Sequence, residues 1–254
     1  MRKEDNMFRK KEKKEKFILE SEPHRYTISS DEIKRIAEHI NNGIEDGLKI
    51  EEATKLLEWL VENARRDIEK IIGKSLNDYS CKGFCGFAKL STIFPVKDCN
   101  INATSNDTNR FPNSTFKHSF GTVLLPIKEN GKVVNKWFLI DPTYRQFFEK
   151  EVCSKKNQIP APGYFMCADS KTIEFSKRLL KQGYIELTLE NLKMYAQGFV
   201  FASGNMIENI DINELKESVL NNQEEIDCSR EEAINFGCNP NIPYVKYVNN
   251  KLKK

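Results

Sequence analysis

HSFGTVLLPIKENGKVVNKWFLID, residues 118–141, reads as two strands and the turn between them. Apolar and β-branched residues dominate 118–127 and 133–141. The segment Glu129-Asn130-Gly131-Lys132 between them contains Asn-Gly, the dipeptide that best tolerates positive φ at both central positions of a two-residue hairpin turn. An antiparallel hairpin puts the start of one strand beside the end of the other, so His118 and Asp141 become neighbours. Pro142 then ends the second strand, because it has no N–H for the next ladder hydrogen bond. A carboxylate that accepts an imidazole N–H fixes the tautomer and stabilises the imidazolium, which is the base-and-orienter pair of a catalytic triad.

Such a pair needs a nucleophile. Upstream, FCGFAKLSTIF (residues 84–94) carries Phe84, Phe87, Ala88, Ser91 and Phe94 on one helical face, and the spacing predicts a helix that begins at or just before Cys85 and is ended by Pro95. A helix N-terminus favours negative charge and lowers a thiol pKa, so Cys85 suits the role. Gly83 and Gly86 bracket it and leave room for a substrate. The nearby Cys81 is a second thiol, and Cys85 is favoured because Gly83 falls in the turn before the helix. A zinc site at this Cys pair lacks a second convincing ligand pair. Of the three histidines, His24 and His39 lie in the tail region and on a charge-rich helix, which leaves His118 as the base. Gln146, five residues after Asp141, is placed to donate its amide to a developing oxyanion.

Taken singly, these residues have ordinary roles: a Cys opening an apolar helix is commonly a small core residue, and Asp-Pro after a strand is commonly a turn. The order helix Cys, strand His, strand-end Asp is what points to chemistry.

The remaining chain supplies the body. Its 254 residues, 39% apolar, suffice for one domain with a real core. The net charge of +3 is confined to the first sixteen residues, which hold eight Lys/Arg against four Asp/Glu; the rest sums to −1, so no basic face suggests nucleic acid. We expect 1–16 to be a disordered basic tail and 17–254 a single α+β domain. No stretch approaches a membrane span or a signal core, so the chain is read as cytosolic when made, with any export to a host or competitor cell using no cleaved signal peptide. Seven cysteines, an odd number, argue against a complete disulfide framework. The sequons at Asn102, Asn106 and Asn113 read as parts of a polar, Asn-rich loop of about twenty residues.

A capping box at Ser29-x-x-Glu32 precedes Ile33, Ile36, Ala37 and Ile40 at helical spacing. A longer helix carries Ala53, Leu56, Leu57, Leu60, Val61, Ala64, Ile68, Ile71 and Ile72 on one face, with Gly73 as its stop. Past Phe148 the chain is irregular through Pro162, helical from about Lys171 to Gln182, and stopped by Gly183. Tyr184–Leu187 suggests a short strand, and Thr188 a cap for a helix through Leu192 and Tyr195. The last fifty residues read as helical and polar.

GFCGFAKLS (83–91), HSFGTVLL (118–125) and WFLIDPTYRQFF (137–148), in this order, resemble the papain-like (transglutaminase-like) domains of bacterial cysteine-dependent toxins and effectors, the group of Pasteurella multocida toxin catalytic-domain-like glutamine deamidases. The resemblance covers about residues 80–148. It implies a helical N-terminal layer plus an antiparallel sheet, with Cys85 as nucleophile, His118 as base, Asp141 as orienter and Gln146 as oxyanion donor. It also implies a protein substrate and neither cofactor nor metal. The expected activity is acyl transfer from a carboxamide, as protein-glutamine deamidase or transglutaminase. A cysteine peptidase and a non-catalytic binding module of the same fold are the alternatives.

Overall fold

The structure, a computed structural model, describes residues 35, 36, 38, 39, 46–76, 81, 83–97, 101–108, 111, 118–147, 170–202 and 211–220. The basic tail over 1–16 and the capping box at Ser29 lie outside the described residues, as does most of the last fifty. In chain order the elements are α1 (Ile50–Ile72), α2 (Cys85–Lys97), β1 (Ala103–Asp107), β2 (Ser119–Glu129), β3 (Lys132–Ile140), a 3₁₀ turn (Tyr144–Phe147), α3 (Ser170–Gln182), β4 (Tyr184–Glu186), α4 (Leu189–Ala202) and α5 (Ile212–Leu220). The fold is α+β: four strands form one antiparallel sheet in the order β1-β2-β3-β4, with helices on both faces.

The expected hairpin is its centre. Asn130 and Gly131 take φ values of 50° and 77° at the turn, and Glu129 pairs with Lys132 on either side of it. From there the register runs to Gly121 opposite Ile140, so His118 and Asp141 lie just beyond the paired residues of the same end. Because strand side chains alternate, Val123, Leu125, Ile127, Phe138 and Ile140 face one apolar layer with Leu56, Leu57 and Leu60 of α1 and Ile93 of α2. Phe120 and Leu139 face the other, with Phe175 and Leu179 of α3 and Leu192, Tyr195 and Phe199 of α4.

Two expectations are corrected. The Asn-rich segment after α2 contains a strand, β1, whose Thr104 and Asn106 are buried and bonded to one another and to Thr122 of β2. Here side-chain hydrogen bonds take the place of the apolar alternation that marks most strands. The sequon at Asn106 is therefore inside the sheet. Helix α2 also passes through Pro95 and ends at Lys97. Pro95 cannot donate to the carbonyl of Ser91 four residues back, and the Asn63 side chain of α1 donates to it instead, at 3.2 Å.

Gly183 joins α3 to β4 with φ 74°, and its N–H bonds the Leu179 carbonyl at 2.7 Å, closing the helix as a left-handed cap. Thr188 caps α4, its hydroxyl accepting the Asn191 N–H at 3.1 Å. Among the described residues no helix is long and apolar enough to cross a membrane.

Candidate active site

Cys85 is the first residue of α2. Gly83, at φ 84° with nothing near the space a Cβ would fill, turns the chain so that the Phe84 N–H bonds the Cys81 carbonyl at 3.2 Å and the Phe84 carbonyl accepts the Ala88 N–H at 2.8 Å. The N–H groups of the first helical residues have no carbonyl of their own helix to bond, so this end presents positive dipole to the sulfur. The two thiols of the turn diverge. Cys81 is fully buried among Ala64, Ile68 and Leu76, and its sulfur lies 3.7 Å from the Thr143 carbonyl. Cys85 is half-buried and meets His118.

His118 precedes β2 and is 1% exposed. Thr108 clamps its backbone: the Thr108 hydroxyl accepts the His118 N–H at 2.9 Å, and the His118 carbonyl accepts the Thr108 N–H at 2.8 Å. Nε2 of the ring lies 2.7 Å from Oδ2 of Asp141, and Nδ1 lies 3.3 Å from Nε2 of Gln146. With Nε2 on the carboxylate, the hydrogen bond to the thiol falls to Nδ1, so Cys85 and Asp141 take opposite sides of the ring. Phe199 stacks on its face, nearly parallel at 11° with 5.4 Å between centroids.

Asp141 is 1% exposed and held from every side. Its N–H bonds the Gly183 carbonyl at 2.8 Å. Oδ1 accepts both the N–H and the hydroxyl of Thr143 at 3.2 Å, while Oδ2 accepts the Tyr195 hydroxyl at 2.9 Å besides the His118 ring. Arg65 of α1 donates to the Pro142 carbonyl at 3.2 Å and fixes the turn that follows. Gln146 sits on the 3₁₀ turn and is buried.

Charge follows from these contacts. Burial alone would pull the His118 ring down, but the Asp141 charge and hydrogen bond, aided by Cys85, override it and push the ring up to about 10. Burial would likewise raise the Cys85 thiol; the hydrogen bond from His118, the imidazolium charge and the Ser119 backbone N–H outweigh it, and the thiol is lowered. A thiolate beside an imidazolium is the favoured form. Ser119, which supplies that N–H, is itself tied down: its hydroxyl bonds Asp107, and Lys89, one turn beyond Cys85 on α2, reaches the same carboxylate at 3.4 Å.

The four residues expected from the sequence, Cys85, His118, Asp141 and Gln146, thus come together from α2, the start of β2, the end of β3 and the turn after it. Sequence reading missed Thr108, Thr143, Ser119, Tyr195 and Phe199. Thr143 had a local signal, Asp-x-Thr after a strand, which commonly forms a side-chain-closed turn. Tyr195 read only as part of the helix through Leu192, and Phe199 carried no signal of its own. Among the described residues no group of three or more His, Cys, Asp or Glu side chains could hold a metal ion. Compared with known proteins, the chain matches no family model, no curated protein and no solved structure.

Proposed function

We propose that this chain is a thiol-dependent acyl-transfer enzyme of papain-like architecture, and that its reaction is the deamidation of glutamine in a protein substrate. The observation that carries the reading is the position of His118 between two partners: Nε2 on the Asp141 carboxylate at 2.7 Å, and the other ring nitrogen toward a helix-terminal Cys85 with a lowered thiol pKa. The order of the three elements supports it too, being that of the toxin and effector group the sequence resembles.

The chemistry follows from the groups present. The Cys85 thiolate adds to the carboxamide carbon. The oxyanion that forms is met by N–H groups at the start of α2 and by the Gln146 amide. In the structure that amide nitrogen lies 3.3 Å from Nδ1, the nitrogen that faces the thiol; a protonated Nδ1 accepts no hydrogen bond, so in the ion pair the amide N–H is available to the oxyanion. Nδ1–H then protonates the leaving nitrogen, the C–N bond breaks, and ammonia departs to leave a thioester. His118 next takes a proton from water, whose oxygen attacks the thioester; the C–S bond breaks, the thiolate re-forms and glutamate is released. Asp141 keeps Nε2 protonated throughout. A lysine in place of water gives a cross-link, and a peptide bond in place of the carboxamide gives proteolysis.

Two measurements test this. Iodoacetamide at neutral pH should alkylate Cys85 much faster than the other six cysteines. Mass spectrometry of host and bacterial lysates incubated with the protein should show glutamine converted to glutamate, whereas new peptide termini would make it a peptidase. Equal reactivity of all the thiols would remove the catalytic reading and leave a binding module.

A further inference from the structure

We infer that Tyr195 is a positioning residue for the acid–base pair: with Phe199 one turn further along α4, its phenol holds the Asp141 carboxylate and the His118 ring in the one mutual orientation that aims the imidazole at Cys85. The inference rests on the acyl-transfer reading above.

The donors to Asp141 fix different things. Thr143 supplies two of the four side-chain bonds, both to Oδ1, but it lies two residues along the same turn. It holds the carboxylate relative to that turn only. Tyr195 comes from 54 residues away, on α4, and it bonds Oδ2, the oxygen that also meets His118. Without the phenol the carboxylate can turn about its Thr143-held oxygen and carry Oδ2 away from Nε2.

The hydroxyl is not needed for packing. Tyr195 is fully buried in a cluster that already uses Phe111, Phe120, Phe175 and Phe199, and its ring is wedged by Phe120 and Phe199, each 5.1 Å away, and by Tyr144 at 5.8 Å. A buried phenol must find an acceptor, and this one finds the catalytic carboxylate. Burial and the Asp141 charge hold it well above its ordinary range, so it stays a donor. Phe199 acts on the other partner, its stacked face blocking tilt of the ring and favouring the imidazolium. One helix face thus grips both members of the pair.

The test is Tyr195→Phe in the full chain, read by the pH midpoint of Cys85 alkylation with iodoacetamide, turnover as ammonia release from a glutamine-containing peptide, and melting. Among the described residues, the titratable groups that act on the pair or on its phenol are Cys85 from α2, Tyr195 from α4 and, through Tyr195, Tyr144 from the 3₁₀ turn. A loosened carboxylate weakens the imidazolium, so the midpoint should rise by about half a pH unit or more and turnover fall about tenfold or more with KM unchanged. Ser176→Ala removes a buried hydroxyl bonded to Tyr144 in the same layer and should move melting alone. A midpoint that stays or falls in Tyr195→Phe overturns the inference while leaving the acyl-transfer reading intact; a native Cys85 with no thiolate below the ordinary thiol range overturns both. Should Tyr195→Phe not fold, Phe199→Leu carries the same test, with the same rise expected and its absence decisive.

Discussion

The carbonyl of Gly183 accepts the backbone N–H of Asp141 at 2.8 Å, so the glycine that ends α3 also anchors the residue that orients His118. The position admits little else. A Cβ there would come within 2.6 Å of Val61 Cγ1, on a backbone at φ 74°. Gly183→Ala is expected to cost about 3 kcal/mol from left-handed strain and overpacking together, measured by urea unfolding, and to slow Cys85 alkylation because Asp141 shifts. Gly73→Ala is the control. Its φ is 65° but nothing lies within 4 Å of the added Cβ, so it should cost about 1 kcal/mol and leave the thiol as it was.

The two thiols of the turn before α2 should behave oppositely. Cys85→Ala is expected to abolish turnover with little change in melting, since the other thiol among the described residues, Cys81, is buried with its sulfur against the Thr143 carbonyl. Cys81→Ala should keep turnover but lower stability by about 1 kcal/mol, the value of a small buried side chain with a weak hydrogen bond. Activity and differential scanning calorimetry on both variants decide it; loss of turnover with Cys81→Ala would move the nucleophile one turn back.

The hairpin was readable because Asn130-Gly131 names its own turn, and the turn in turn sets His118 against Asp141. The start of α2 was readable because Gly83 and the apolar face from Phe84 onward agree. β1 was not, since Thr104 and Asn106, two of its three buried residues, look like loop until Thr122 is beside them. The passage of α2 through Pro95 was hidden for a similar reason: the group that satisfies Ser91 is Asn63, on another helix. Tyr195 could not be told from a core aromatic, because its distinguishing contact is with a carboxylate more than fifty residues away.

The acid–base pair sets a pH profile with two limbs. The thiol is lowered from 9.0, so the reactive pair forms on the acid side of that value; the ring is raised from 6.5 to about 10, so the proton needed by the leaving group is lost only as pH climbs through about 10. Turnover should therefore be a broad bell falling near pH 10, whereas alkylation, which needs only the thiolate, should persist beyond it. For folding, the raised His118 contributes stability that is full below 6.5 and lost as pH rises through about 10. In His118→Ala the burial that raises the Cys85 thiol is no longer opposed by the ring, so the alkylation midpoint should move up substantially. Stopped-flow alkylation across pH measures it, and an unmoved midpoint would show that the helix terminus alone activates the sulfur.

Gln146 is separable from the triad by the work each group does. Its amide touches Nδ1 at 3.3 Å in the resting chain, on the side where the thiol also bonds. Gln146→Ala leaves Nδ1 to Cys85 alone, so alkylation, which develops no oxyanion, should stay as fast or become faster. Turnover does develop one, and the loss of a preorganised donor should lower kcat by about 100-fold or more, with KM little changed. Gln146→Glu sharpens the comparison, because a carboxylate of the same length can bond a protonated Nδ1 but repels an oxyanion; it should lower turnover further while alkylation persists. If alkylation and turnover fall together in Gln146→Ala, the amide supports the ring and not the oxyanion. If neither changes, its place beside Nδ1 is packing, and the oxyanion is met by the N-terminus of α2 without it.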